Sequence, residues 1–392
     1  MLRFAGVDIG SRTHFVAIVD EHLAVLLKPT PVTEDASGYQ KLFHVLGSAA
    51  DILVVMEATG HYWRNVFASL CARGFRCALV NPLRTRRFAE EDLRRAKTDA
   101  IDALGIARFG AQKRPEAMSP PDPDLDNLRE LVHLHGRHVQ DFGDRVRQLH
   151  RLVSLVFPEF TRFVPNLNSQ RATTLLRHCP SAKAFRQADY LQLVDLRYDG
   201  RHLVGTTLAA SLVEAAKTSI AQHHAPAYES SVRFLCADLD TLRGNLRASI
   251  AEIQASVERQ PLAAWLASID GLGSLTIARL LARLGDPARF RSAGALASYV
   301  GVVPGTNQSG LHRPGRSPLS PIGNADLRAS LWMPTLAAVQ HNPWLRAYYQ
   351  RLVARGKPRK LALVAAMRKL LVAIYTVAKN RRPFVPRIPE SP

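Results

Sequence analysis

The sequence predicts an α/β domain at the amino terminus followed by an all-α remainder, and three observations carry that division. Two short apolar runs near the start each close on a single acid, Asp8 and Glu57, as buried strands ending at a polar edge do. Four prolines, Pro115, Pro120, Pro121 and Pro123, then punctuate the chain and mark a linker. Beyond them apolar residues recur every three or four positions, which is the helical period.

Residues 4–9 make the first strand, and Gly10-Ser11-Arg12-Thr13 the turn after it. Residues 15–19 and 23–28 continue as an antiparallel meander. Residues 38–46 are helical, and 52–56 are wholly apolar, as a strand covered on both faces should be. A helix over 61–73 stops at Gly74, and 76–80 is a fifth strand ended by Asn81-Pro82. Three antiparallel strands followed by βαβ units give the RNase H-like order. There the first and fourth strands are neighbours, which would set Asp8 beside Glu57. This first domain is taken as 1–114.

The long helix after the linker carries Leu125, Leu128, Val132, Val139, Phe142, Val146, Leu149, Val153 and Val156, with His135 in the remaining slot. Alternating steps of three and four make a heptad repeat, so a coiled coil is expected. A second run, Tyr228, Val232, Leu235, Leu239, Leu242, Leu246 and Ile253, breaks register at Ser249. The two runs pair either within one chain as an antiparallel hairpin or between chains. Residues 158–225 between them read as helical and irregular, with scattered histidines His178, His202, His223 and His224 that lack ligand spacing. Together 123–260 form a coiled-coil and helical domain.

The last domain, 261–382, opens with helices over 262–268 and 275–284 joined by Gly271-Leu272-Gly273. This is either a helix-hairpin-helix, whose exposed N–H groups at Gly271 and Gly273 suit a phosphate, or a plain αα-turn. A polar stretch, Gly305-Thr306-Asn307-Gln308-Ser309-Gly310, then leads to His312, Arg313 and Arg316, and helices complete the chain.

Composition narrows the partner. Lys plus Arg total 52 against 33 Asp plus Glu, a net charge of +19 over 392 residues. Basic residues recur in every region, which points to a polyanion, most simply nucleic acid. The four cysteines, Cys71, Cys77, Cys179 and Cys236, form no CxxC pair, and reduced, packed thiols in the cytoplasm are expected. The start has no signal-peptide pattern and no 18-residue apolar run appears, so no membrane partner is expected.

The chemistry rests on four acids. Asp99 and Asp102 stand three apart in a helical segment and share a face. Set opposite Asp8 and Glu57, they make an all-oxygen donor group suited to Mg²⁺ or Mn²⁺. Two such ions about 4 Å apart clamp the attacking and leaving oxygens of a phosphodiester. The competing assignment is structural, with Arg94, Arg95 and Lys97 as ion-pair partners. Ser309 alone is a turn residue by its setting. A serine hydroxyl attacks phosphorus only with a base, a metal or cations nearby, and His312, Arg313 and Arg316 are the cations available.

Four amino-terminal strings, Gly6-Val7-Asp8-Ile9-Gly10-Ser11, Met56-Glu57-Ala58-Thr59-Gly60-His61-Tyr62-Trp63, Val80-Asn81-Pro82 and Ala96-Lys97-Thr98-Asp99-Ala100-Ile101-Asp102-Ala103, resemble the DEDD transposases of the insertion-sequence one-ten family, to which Piv-type DNA invertases belong. Ile269-Asp270-Gly271-Leu272-Gly273, Ala297-Ser298-Tyr299-Val300-Gly301, Ser309-Gly310, Gly323-Asn324-Ala325-Asp326-Leu327-Arg328 and Leu363-Val364-Ala365-Ala366-Met367-Arg368-Lys369-Leu370 extend the resemblance to the second half. It implies a RuvC-like nuclease domain, a coiled-coil linker and a carboxy-terminal transposase domain. It further implies divalent metal on Asp8, Glu57, Asp99 and Asp102, and Ser309 as nucleophile on DNA. A structured noncoding guide RNA would pair with donor and target DNA, in a bacterial, nucleoid-associated enzyme. Before Gly323 the family often has a basic residue where this chain has Ser320-Pro321-Ile322, so a phosphate contact is either lost there or moved to Arg316 or Arg328. The expected function is a site-specific recombinase that mobilises an insertion sequence as a dimer or tetramer. The alternative is a RuvC-like junction nuclease that uses water and forms no covalent intermediate.

Overall fold

A computed structural model describes residues 2–58, 60–91, 98–120, 122–303 and 323–386. The chain divides into two compact units, Met1–Asp122 and Pro123–Pro392.

The first unit is built on five strands: β1 (Arg3–Asp8), β2 (Thr13–Asp20), β3 (Val25–Thr33), β4 (Ile52–Glu57) and β5 (Arg76–Val80). Their order is β3-β2-β1-β4-β5. The first three are antiparallel, and β4 and β5 run parallel to β1, as the strand pattern predicts. The helices are α1 (Ala36–Leu46), α2 (Trp63–Ala72), α3 (Pro82–Glu91) and α4 (Asp99–Lys113). Side chains alternate across the sheet. Ala5, Val7, Ile52, Val54 and Met56 pack with α1 and α2, while Phe4, Leu53 and Val55 pack with α4. Central strands buried on both faces explain why β4 reads as an unbroken apolar run.

The second unit opens with α5 (Pro123–Val156), followed by α6 (Phe160–Phe163), α7 (Gln170–His178), α8 (Ala182–Gln187) and α9 (Tyr190–Val194). A two-stranded ribbon, β6 (Arg197–Tyr198) and β7 (His202–Leu203), precedes α10 (Thr206–Lys217) and α11 (Pro226–Glu258). Then come α12 (Pro261–Leu266), α13 (Ser274–Leu284), α14 (Ala293–Val300), α15 (Ala325–Ser330), α16 (Trp332–His341), α17 (Pro343–Ala354) and α18 (Arg359–Asn380). The ribbon is the one strand pair described within 158–225, a stretch expected to be helical and irregular, and Asp199-Gly200 at its turn, with φ of 51° and 75°, is its short hairpin signal.

Helices α5 and α11 pair antiparallel within the chain. Arg145 Nε donates to Asp238 at 3.0 Å, and His135 Nδ1 lies 2.9 Å from Ser249 Oγ. The residue that fills a heptad slot and the one that breaks the second register therefore face each other, both buried. Val139, expected on the seam, is 46% exposed. A straight α-helix drifts about 20° per heptad away from a 3.5-residue repeat, so one stripe cannot stay inward along 34 residues.

Two cores sit at the two ends of this pair. One joins Leu149–Val156 of α5 and Val232–Leu239 of α11 to α6, α7, α8 and α10. The other joins Leu128, Val132, Ile253 and Val257 to the carboxy-terminal helices, so it runs across the boundary expected at 260. Helix α18 is long and apolar enough to cross a membrane, and it forms the centre of this second core through Ala366, Leu370 and Ile374. All four cysteines are free thiols. Burial pushes Cys179 and Cys236 up to about 12, which leaves them unreactive at neutral pH.

Candidate functional site: a carboxylate edge on one face of the sheet

Backbone register assembles the first two acids. Strands β1 and β4 are parallel neighbours with Val7 opposite Met56, so Asp8 and Glu57 follow side by side at the carboxyl ends of adjacent strands. Alternation then fixes their face. Val7 and Met56 point toward α1 and α2, so Asp8 and Glu57 point the other way, to the side α4 covers. Both are half-buried.

Helix α4 brings the other two. An added Cβ on Gly6 would lie 2.2 Å from Ala103 O and 2.2 Å from Ala107 N, and one on Gly110 would lie 3.7 Å from Phe4 Cβ. The helix thus lies directly on β1 and runs against it, with its amino end at the strand's carboxyl end. Asp99 and Asp102 occupy its first turn, Asp99 exposed and Asp102 half-buried. Thr98 caps the turn, its hydroxyl accepting from Ile101 N at 3.3 Å. Acids in a first turn also favour the helix dipole, which holds this turn together without any ligand. Among the described residues, no three His, Cys, Asp or Glu side chains are gathered closely enough to ligate one ion.

Two residues at this edge escaped sequence reasoning. Thr85 on α3 donates its hydroxyl to Glu57 Oε1 at 2.5 Å and fixes the orientation of that carboxylate; nothing in a polar helix after Asn81-Pro82 signals it. Gly6 is the contact through which α4 seats on β1, and a glycine inside a strand is the recognised sign of such close approach. On the opposite face, buried His14 places Nε2 2.5 Å from Glu34 Oε2, and Tyr39 and Asn65 donate to the same carboxylate. This network braces β2, β3, α1 and α2 away from the acids.

In the second unit, Gly271 has φ of 101°, and an added Cβ would meet Ala338 backbone at 2.6 Å. Its conformation and close packing on α16 both require glycine. Gly273 precedes α13 with no atom within 4 Å of an added Cβ. Gly323, with φ of 129°, crosses Gly301 so tightly that an added Cβ would lie 2.5 Å from Gly301 Cα. Asn324 N donates to Tyr299 O at 2.9 Å, and Arg328 Nη1 donates to Gly301 O at 3.3 Å. Val302 and Gly323, near the two ends of residues 304–322, are thus anchored by one backbone crossing. Ser309, Arg313 and Arg316 lie outside the described residues, as do Arg94, Arg95 and Lys97.

A transposase family model of the IS110 DEDD type matches residues 5–158, and the Transposase IS116/IS110/IS902 family model matches residues 263–350. The pilin gene-inverting protein of Moraxella bovis is 26% identical over 86% of this chain and 83% of its own. The insertion element IS110 43.6 kDa protein of Streptomyces coelicolor is 27% identical, covering 98% of this chain and 96% of its own. A mini-circle putative transposase for IS117 from the same organism is 28% identical, covering 97% and 95%. The T. thermophilus RuvC structure with a Holliday junction substrate covers 30% of this chain and 100% of its own at 14% identity, with a TM-score of 0.23, too loose a likeness to carry an argument. With the acid-bearing segment and the segment around Gly271 both matched, the chain belongs to the IS110 family of transposases, enzymes of DNA transposition.

Proposed function

We propose that this transposase cuts and rejoins DNA with Ser309 as nucleophile and with Asp8, Glu57, Asp99 and Asp102 as holders of a divalent cation, Mg²⁺ or Mn²⁺. The supporting observation is the convergence of strand register, side-chain alternation and the seating of α4, all of which direct the acids to one edge. Their donor set is carboxylate oxygen throughout, which fits a hard cation. Bound there, the cation would polarise the scissile phosphate and neutralise developing charge.

The remaining chemistry belongs to the chain. Ser309 Oγ bonds to phosphorus as the phosphorus–deoxyribose oxygen bond breaks. The serine proton is lost and the leaving oxygen gains one, so bond energy is kept in a phosphoserine link for rejoining. Arg313, Arg316 and Arg328 supply cationic contacts to the phosphates, and Gly271 and Gly273 expose backbone N–H groups to the same strand. The α5–α11 pair serves as the coiled-coil linker of the chain. A dimer or tetramer supplies enough centres to cut several strands in concert. An element-encoded structured RNA selects donor and target by base pairing.

The test is divalent-ion-dependent strand cleavage of element-end DNA by Asp99→Asn and Asp102→Asn variants. Both should lose cleavage and keep DNA binding. Full activity in either variant, or in wild-type protein under EDTA, would contradict the cation role.

A further inference from the structure

The second unit holds a cavity of about 320 Å³ between α7, the β6–β7 turn and α11. Helix spacing builds its wall: Asp240, Arg243, Gly244 and Arg247 lie on one face of α11. Arg177 of α7 and Arg197 of β6 complete a ring of four arginines.

Two aspartates also line the cavity, and both are committed. Asp240 accepts from Thr173 Oγ1 at 2.9 Å, Arg177 Nη1 at 3.0 Å and Arg243 Nη1 at 2.5 Å. Asp199 accepts from the N–H groups of Arg201 and His202 and from the His202 ring. Asp240 therefore holds two guanidinium forks in place, and Arg243 is fixed further by donating to Asn168 O at 3.0 Å. Arg197 and Arg247 have no ion-pair partner among the described residues. Oriented forks beside unpaired ones suit phosphate oxygens, which guanidinium groups bind in pairs. No aromatic or large apolar side chain lines the cavity, so nothing there stacks a base.

The geometry points to a binding site for nucleic-acid backbone phosphates formed by Arg177, Arg197, Arg243 and Arg247, none of which is among the residues proposed to cut and rejoin DNA. It rests on the chain acting on nucleic acid. Contacts of this kind set register and affinity without reading sequence.

Fluorescence anisotropy of the full chain against duplex DNA, single-stranded DNA and an RNA hairpin, over a range of salt, tests it. The Arg197→Gln/Arg247→Gln variant removes two phosphate contacts. Its slope of log affinity against log salt on duplex should fall by about 1.8, and its affinity at about 0.1 M salt should drop about 60-fold. Gly244→Glu gives a second variant that does not depend on lost arginines. An added Cβ there meets nothing within 4 Å, so the carboxylate enters the cavity without repacking the helix. It should weaken binding to a similar degree with unchanged thermal unfolding, while Gly244→Ala binds as wild type does. Loss on RNA alone assigns the site to RNA, and loss on DNA alone to DNA. Wild-type affinity and slope in both variants on all three probes would overturn the cavity site and leave the proposed function standing. Failure of the wild-type chain to bind any probe would overturn both.

Discussion

Gly6→Ala is the sharpest perturbation of the carboxylate edge, because it adds one methyl group at the contact that seats α4. That methyl would lie 2.2 Å from Ala103 O and Ala107 N, both backbone atoms. No side chain can swing aside, so the helix must retreat. Restoring an ordinary contact of 3.4 Å requires a displacement of about 1.2 Å, the difference from 2.2 Å. Overpacking of this kind costs about 1–3 kcal/mol. For a unit of this size, that lowers Tm by roughly 4–12 °C. The larger consequence is chemical. Asp99 and Asp102 ride on the displaced helix while Asp8 and Glu57 stay with the sheet, and a misplacement of about 1 Å at a reacting centre can cost about 100-fold in rate. Differential scanning calorimetry and Mn²⁺-dependent cleavage measure the two effects separately. A variant that melts with wild-type Tm and cuts at the wild-type rate would refute the seating of α4 as what positions the acids.

Two further predictions follow from hydrogen bonding and burial. Thr85→Val removes the donor to Glu57 Oε1; orienting partners of this kind are worth about 10–100-fold in metal affinity, which Mn²⁺ titration calorimetry would report beside a nearly unchanged melting temperature. Burial, then the charges of Arg279 and His138, lower the pKa of His135 below its ordinary value. The unfolded chain therefore binds this proton more readily. Stability from this residue is present above about pH 6.5 and declines as pH falls below it, by at most about 1.4 kcal/mol per pH unit. His135→Gln should flatten that part of the profile in urea unfolding between pH 5 and 7.5, about the range the imidazole spans; an unchanged profile would place the acid sensitivity elsewhere.

Much of the first unit was legible because two-sided burial writes itself into sequence. The apolar runs of β1 and β4 read as central strands, and parallel neighbours bring their terminal acids together. Asp99 and Asp102 were legible by helical spacing, but the seating of their helix was not. It depends on a missing side chain at Gly6 meeting Ala103 and Ala107, a pairing that no local pattern encodes. Thr85 was hidden because a threonine in a polar helix has no periodic signature. In the second unit, the heptads located both long helices yet overstated the seam at Val139, because helical drift turns the apolar stripe. Ser249 breaks the second repeat because its partner, His135, stands on the facing helix. The arginine cavity was invisible for the opposite reason: its residues come from three elements, and scattered arginines look alike until a fold gathers them.

The phosphoserine link is tested most directly by trapping the wild-type chain on element-end DNA with Mg²⁺, separating the products under denaturing conditions and mapping the modified peptide by mass spectrometry. A serine nucleophile gives a DNA–protein adduct on Ser309 that vanishes in Ser309→Ala while DNA binding persists. Cleavage that proceeds in Ser309→Ala, with no adduct trapped from the wild-type chain, would contradict it and assign the acids to hydrolysis by water.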